Sequence, residues 1–218
     1  MQTRIDKRRK SVLIVECDTA ILALKSLDIG AVIYRTIRSF YPTNRIEIVR
    51  TTTEHELLRT FSKYAEENVQ FTNIVLIGHS SKVCFHLCSN RTIHWTGAAT
   101  WFEKLRPKKI FLIGCSAGRW LPCKALFGGI ASLDEIYGSP TNLNKIQASS
   151  IIAMVLYSLG VKKNDLESLR GIQVASLAFL KSLMFRWTRR QYQTTSIEEG
   201  EYWSIGEDIL HQLFKRRG

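Results

Sequence analysis

Ile74-Val75-Leu76-Ile77-Gly78-His79-Ser80 and Ile110-Phe111-Leu112-Ile113-Gly114-Cys115-Ser116 are the two stretches that decide the fold of this chain. Each is a run of four large apolar residues, then a glycine, then a reactive side chain. Apolar runs of this length closed by glycine read as strands of a parallel sheet, buried on both faces. In an open α/β sheet, ligands bind just outside the carboxyl ends of such strands. If the two runs are neighbours, His79 and Cys115 leave the sheet at one edge, an imidazole beside a thiol. That is the minimum equipment of a cysteine nucleophile with its general base.

Outward from these runs, strands alternate with helices. Ser11 to Cys17 is apolar and β-branched, a first strand. Apolar residues at Ile21, Leu24, Leu27, Ala31, Tyr34 and Ile37 predict a helix over Ala20 to Phe40, and Arg45 to Arg50 alternates as a second strand. Thr53 followed by Glu56 has the form of a capping box opening a helix to about Glu67. After the third strand, which ends before His79, Val83–Leu87 and Thr92–Trp95 predict a β-hairpin. A helix from Thr96 to Leu105 then leads into the fourth strand, Lys108 to Gly114. Beyond Cys115, the pattern predicts a helix over Lys124 to Leu133 interrupted by Gly128-Gly129, and a short fifth strand over Glu135 to Gly138. An apolar helix over Asn144 to Leu159 follows, then a long amphipathic helix over Leu166 to Arg190 with Trp187 inward. The tail ends in a short basic helix. The expectation is one α/β domain over residues 1–218, a mainly parallel sheet flanked by helices on both faces. Its core would span about 11–159, with a C-terminal helical extension over about 160–218.

Composition sets bounds on function. The chain has 218 residues, with 45% hydrophobic and 23% charged residues, ordinary for a globular domain. The basic start (Arg4, Lys7, Arg8, Arg9, Lys10) and the apolar Val12–Val15 have the outline of a signal peptide, but Glu16 and Asp18 stop the run far too early. Ile151 to Tyr157 is also too short to span a bilayer. Five cysteines, an odd number, give no disulfide framework and point to a reducing cytoplasm. The net charge of +12 and a pI near 9.7 allow a nucleic-acid surface. No nucleic-acid motif accompanies the charge, so none is predicted. Cys84, His86 and Cys88 alternate along one strand and invite a metal with Cys17 or Cys123. No second ligand pair has zinc-site spacing, and neither metal nor cofactor is expected.

A histidine after the third strand, a hairpin, a helix and a cysteine after the fourth strand together resemble the caspase-like (clan CD) cysteine peptidases. The likeness is strongest to the bacterial CHAT type, related to separase, metacaspases and clostripain. Those families carry an apolar run ending in Gly-His-Gly and another ending in Ala-Cys or Gly-Cys before small residues. The matching stretches are Val75–Ser80 and Phe111–Gly118. The resemblance implies a caspase-like three-layer sandwich with Cys115 as nucleophile and His79 as acid/base partner. It also implies an oxyanion hole built from the backbone amides of Ser80 and Cys115. This chain has Ser80 where the family has glycine; the N–H is kept, but a glycine-only backbone geometry would be lost.

In caspase-like folds the pocket for the residue before the cut lies between the ends of the first, fourth and fifth strands. Those ends offer Glu16 and Asp18, Ile113, and Gly138-Ser139-Pro140, so Asp18 and Ser139 are the candidate substrate-binding residues. An acidic side chain there implies cleavage of a protein substrate after Lys or Arg. The competing role for Asp18 is to cap the helix expected near Ala20. With no repeat array in the sequence, the resemblance further implies an activating or regulatory protein partner, which bacterial antiviral defence systems often supply for relatives. Two other readings compete. Gly114-Cys115-Ser116-Ala117-Gly118 also satisfies G-x-S-x-G, the elbow of α/β-hydrolases, with Ser116 as nucleophile, Asp134 or Asp165 as acid and His211 as base. Alternatively, the domain is a catalytically inactive caspase-like interaction module.

Overall fold

The computed structural model of the protein describes residues 11–17, 28–42, 45–51, 53–87, 91–139, 142, 152–153, 155–161 and 185–194. Its centre is a six-stranded sheet built from β1 (Val12–Cys17), β2 (Ile46–Thr51), β3 (Asn73–Ile77), β6 (Lys109–Ile113), β7 (Glu135–Gly138) and β8 (Phe185–Thr188). The spatial order is β2-β1-β3-β6-β7-β8, with a separate hairpin of β4 (Cys84–Leu87) and β5 (Arg91–His94). The first five strands run parallel, and β8 closes the edge antiparallel to β7.

Helices cover both faces, which is why the central strands are continuous apolar runs rather than alternating ones. Val12 and Ile14 of β1, Val75 and Ile77 of β3, and Phe111 and Ile113 of β6 pack against α1 (Ile29–Phe40) and against the helical residues 152–153 and 155–158. The intervening residues Leu13, Val15, Ile74, Leu76, Ile110 and Leu112 face the other way, against α2 (Glu54–Glu66), α3 (Trp95–Glu103) and α4 (Trp120–Gly129). Side-chain capping fixes two helix starts. Asp28 Oδ1 accepts the Ala31 N–H at 2.8 Å, and Thr53 Oγ1 accepts the Glu56 N–H at 3.3 Å. The chain leaves β1 toward β2 on one side and returns to β3 on the other. The crevice at the carboxyl ends of β1 and β3 is therefore the sheet's topological switch point.

Three expectations need correction. The first helix begins at Ile29, capped by Asp28, rather than at Ala20; Gly30 thus sits in its first turn and not in its interior. Asp18 and the rest of 18–27 lie outside the described residues. The helix after Cys115 runs from Trp120 to Gly129, earlier than its periodicity indicated, because Pro122 falls in the first turn, where proline is tolerated. The last residues of the helix expected to reach Arg190 also differ: Phe185–Thr188 is a strand, followed by the helix Arg189–Thr194 (α5), and 162–184 lie outside the described residues. Trp187 is buried and Arg186 exposed, a period of two in a run rich in aromatic and β-branched residues. Trp187 does point inward, but from a strand. The expected tail helix lies outside the described residues. Among the described residues no helix is long and apolar enough to cross a membrane.

Candidate active site

β3 and β6 pair in parallel up to Ile77 and Ile113, and the Gly78 N–H donates to the Ile113 carbonyl at 3.1 Å, carrying the ladder one step further. Two residues past that last matched pair, the strands deliver His79 and Cys115 at the same level of the same sheet edge. The two turns are stitched together: Ser80 Oγ donates to the Cys115 carbonyl at 2.8 Å. Gly114 is required by this closeness. A Cβ there would stand 2.7 Å from the Gly78 carbonyl oxygen, which no backbone can accommodate in place.

The β4–β5 hairpin folds back on the histidine turn. The Ser81 N–H donates to Cys84 O and the His86 N–H to His79 O, both at 2.8 Å, bracketing a bridge between Ser80 and Phe85. In an antiparallel pair of this kind the bracketed residues do not bond each other. The Ser80 N–H is therefore directed away from β4. Ser80 does not have a positive φ, so its place needs no glycine-only conformation. The same fold-back brings the His86 ring against that of His79, centroids 5.0 Å apart and planes tilted by 47°. Burial, and then the charge of the neighbouring His79, push the His86 imidazole below its ordinary range.

The turn after β6 is held with equal care. Gly118 donates its N–H to Ser139 O at 2.7 Å and accepts the Trp187 indole N–H at 2.9 Å. Ser116 lies in the left-handed region, φ 56°, unusual for a residue with a side chain. Cys115 is partly exposed, whereas the other described free cysteines, Cys17, Cys84 and Cys123, are buried. Burial, reinforced by Glu16, raises the Cys17 thiol to about 12, and burial holds Cys123 well above the usual thiol range. Neither has the character of a nucleophile.

The remaining expected residues distribute as follows. Glu16, at the end of β1, is buried against α1, where it accepts the Gly30 N–H at 3.2 Å and pairs with Arg50 at 2.9 Å. It anchors the α1 N-terminus to the sheet. Ser139 stands at the end of β7 as expected, but is 1% exposed, with its carbonyl engaged by Gly118. Ser116 is 8% exposed, and its hydroxyl points to Asn142 Oδ1 at 3.5 Å. Asp134 precedes β7, at the amino end of the strand, and lies near Lys108 at 3.8 Å. That is roughly a strand's length, about 13 Å, from the edge where Ser116 lies, so it cannot be the acid of a Ser116 triad. Asp165, His211 and Cys88 lie outside the described residues. Cys84 Sγ and His86 Nε2 are 3.7 Å apart, yet no group of three or more His, Cys, Asp or Glu among the described residues is arranged to hold a metal ion.

Two contributors were not foreseen. His86 was legible only as a neighbour of Cys84 on an alternating strand, and its approach to His79 follows from the hairpin folding back. Trp187 lies 69 residues from Gly118, and no local pattern announces such a bond. No model of a known protein family matches the chain, and no curated protein matches it by sequence.

Proposed function

We propose that the protein is a cysteine endopeptidase of the caspase-like, CHAT-type class, using His79 and Cys115 as a dyad. The observation that carries this reading is the register of β3 and β6, which brings both turns to one sheet edge. Cys115 attacks the substrate carbonyl as thiolate, with His79 taking the thiol proton and returning it to the leaving amine. The amides of Ser80 and Cys115 are the oxyanion donors in this scheme, and the Ser80 N–H is directed away from the hairpin. Specificity for a basic residue rests on Asp18, argued from sequence. The same reading extends to a cytoplasmic effector of bacterial antiviral defence that acts on a protein substrate under an activating or regulatory partner.

The test is covalent labelling of Cys115 by iodoacetamide in the full chain, followed by peptide mass spectrometry. His79→Ala should slow labelling near pH 7 about tenfold or more by removing the group that supports the thiolate; an unchanged rate sinks the dyad. Peptide-library cleavage should show a Lys or Arg preference that Asp18→Asn removes, because asparagine keeps any capping role but not the charge. The Ser116 reading has one observation in its favour, the left-handed backbone that a strained nucleophile elbow also shows. Cys115→Ala and Ser116→Ala separate the two readings: hydrolysis lost only in the second assigns the serine. Hydrolysis detectable in none of the proteins leaves the interaction module.

A further inference from the structure

We propose that Trp187 is a positioning residue for the nucleophile turn, so that docking of the C-terminal strand β8 sets the reactivity of Cys115. This rests on the dyad reading above. Three hydrogen bonds from outside the turn hold backbone groups of Cys115 and Gly118. Ser80 Oγ holds the Cys115 carbonyl, Ser139 O holds the Gly118 N–H, and the Trp187 indole N–H holds the Gly118 carbonyl at 2.9 Å. The first two of these come from residues just past the ends of β3 and β7, the strands on either side of β6. The third comes from the far end of the described chain, on an edge strand attached to the sheet only through β7.

The bond is buried, as is Trp187 at 8% exposure, and the indole also packs on Trp120 in the first turn of α4, ring centroids 5.4 Å apart. The helix that follows the nucleophile turn therefore rests on the same side chain as the turn itself. Gly118 is pressed so closely onto β7 that a Cβ on Gly138 would lie 2.8 Å from the Gly118 Cα. The turn thus has little room to find an alternative hydrogen bond nearby. Ser116 needs such restraint, because a left-handed backbone is unfavourable for a residue with a side chain when nothing enforces it. Without the indole N–H, a buried carbonyl three residues after the nucleophile loses its donor and the turn is free to relax. Relaxation carries the thiol out of line with His79.

The experiment follows the pH dependence of Cys115 alkylation by iodoacetamide in the full chain. Trp187→Phe keeps an aromatic ring but removes the N–H. Benzothienylalanine at position 187, introduced by stop-codon suppression, keeps the whole indole outline and removes only the N–H, and so serves if the phenylalanine variant folds poorly. Either should slow Cys115 alkylation at pH 7 at least fivefold and move the midpoint of the pH profile upward by about one unit, with cooperative thermal unfolding retained. A profile superimposable on the wild type for the benzothienylalanine protein overturns the proposal. His79→Ala run in parallel keeps the failures apart. If it leaves alkylation unchanged, the dyad is wrong whatever position 187 does. If it slows alkylation while the position-187 proteins behave as wild type, only the role of Trp187 is lost.

Discussion

Ser80 donates its hydroxyl hydrogen to the carbonyl oxygen of Cys115 at 2.8 Å, binding the histidine turn to the cysteine turn across the end of the sheet. A glycine at position 80 could not make this bond. Ser80 is itself buried, 4% exposed, and its backbone joins the bridge to Phe85, so a single residue ties β3, the hairpin and the Cys115 turn together. Serine gives up the backbone freedom of glycine for a specific cross-link at a place where the backbone does not use that freedom.

Ser80→Ala should therefore be destabilising rather than neutral. Losing a hydrogen bond to a partly buried carbonyl costs about 1 kcal/mol, more if the acceptor stays dry. In a chain of this size that is a fall of about 2–4 °C in Tm by differential scanning fluorimetry. Iodoacetamide labelling of Cys115 should slow in the same protein, because the thiol's turn has lost its tie to the histidine. An Ala variant with unchanged melting and labelling would show that the bond contributes nothing.

The legible part of this fold was what short-range pattern determines. β7 was foreseen residue for residue, and β3 and β6 to within a residue at each end, because a strand buried on both faces has no choice but continuous apolar residues bounded by glycine or turns. The levels of His79 and Cys115 followed from those strands. What escaped was set by distant partners. Phe185–Thr188 reads as the end of an amphipathic helix until β7 offers it an edge, and tertiary pairing then overrides the helical spacing. The burial of Glu16 was equally hidden, since its partners Arg50 and Gly30 are brought to it by β2 and α1.

Among the described cysteines, reactivity should follow exposure and thiolate character. With Cys17 raised to about 12, only about one molecule in ten thousand carries that thiolate at pH 8. Cys123 is fully enclosed and Cys84 is buried at the base of the hairpin. Timed alkylation at pH 7.5 with peptide mapping should therefore modify Cys115 at least a hundredfold faster than Cys17 or Cys123. Faster modification of either would contradict the geometry of the site.

Two glycines should respond to alanine in opposite directions. A Cβ on Gly118 would run into the carbonyl of Gly138 and the carbonyl carbon of Ser139, both backbone that cannot step aside. Gly118→Ala should cost about 3 kcal/mol, the upper end for forcing atoms into a packed site, and should disturb Cys115 labelling as well. Gly128 lies within α4, where among the described residues a Cβ would meet the Tyr192 hydroxyl at 3.5 Å, an ordinary contact. Gly128→Ala should stabilise by up to about 1 kcal/mol through helix propensity. Urea unfolding midpoints moving in the same direction for both would refute the close approach at Gly118.

Acid should loosen the edge that carries Trp187, through Glu135. Burial alone would raise this carboxyl, but hydrogen bonds from Lys109, Arg186 and Tyr137 outweigh it and hold the group down at about 2. Lys109 lies on β6 at 2.8 Å and Arg186 on β8, so the carboxylate joins three neighbouring strands of the sheet. In the unfolded chain a glutamate titrates near about 4.3. A group whose folded value is depressed stabilises fully above its unfolded value and loses that contribution as the pH falls toward its folded value. The contribution of Glu135 is therefore complete above about pH 5 and drains away between about pH 4.5 and 2. Glu135→Gln removes this contribution at every pH. The gap in Tm between the wild type and this variant should be widest at neutral pH and should shrink on acidification below about pH 4.5. A gap that stays constant from pH 7 to 3 would mean that the carboxylate charge does not hold β8 to the sheet.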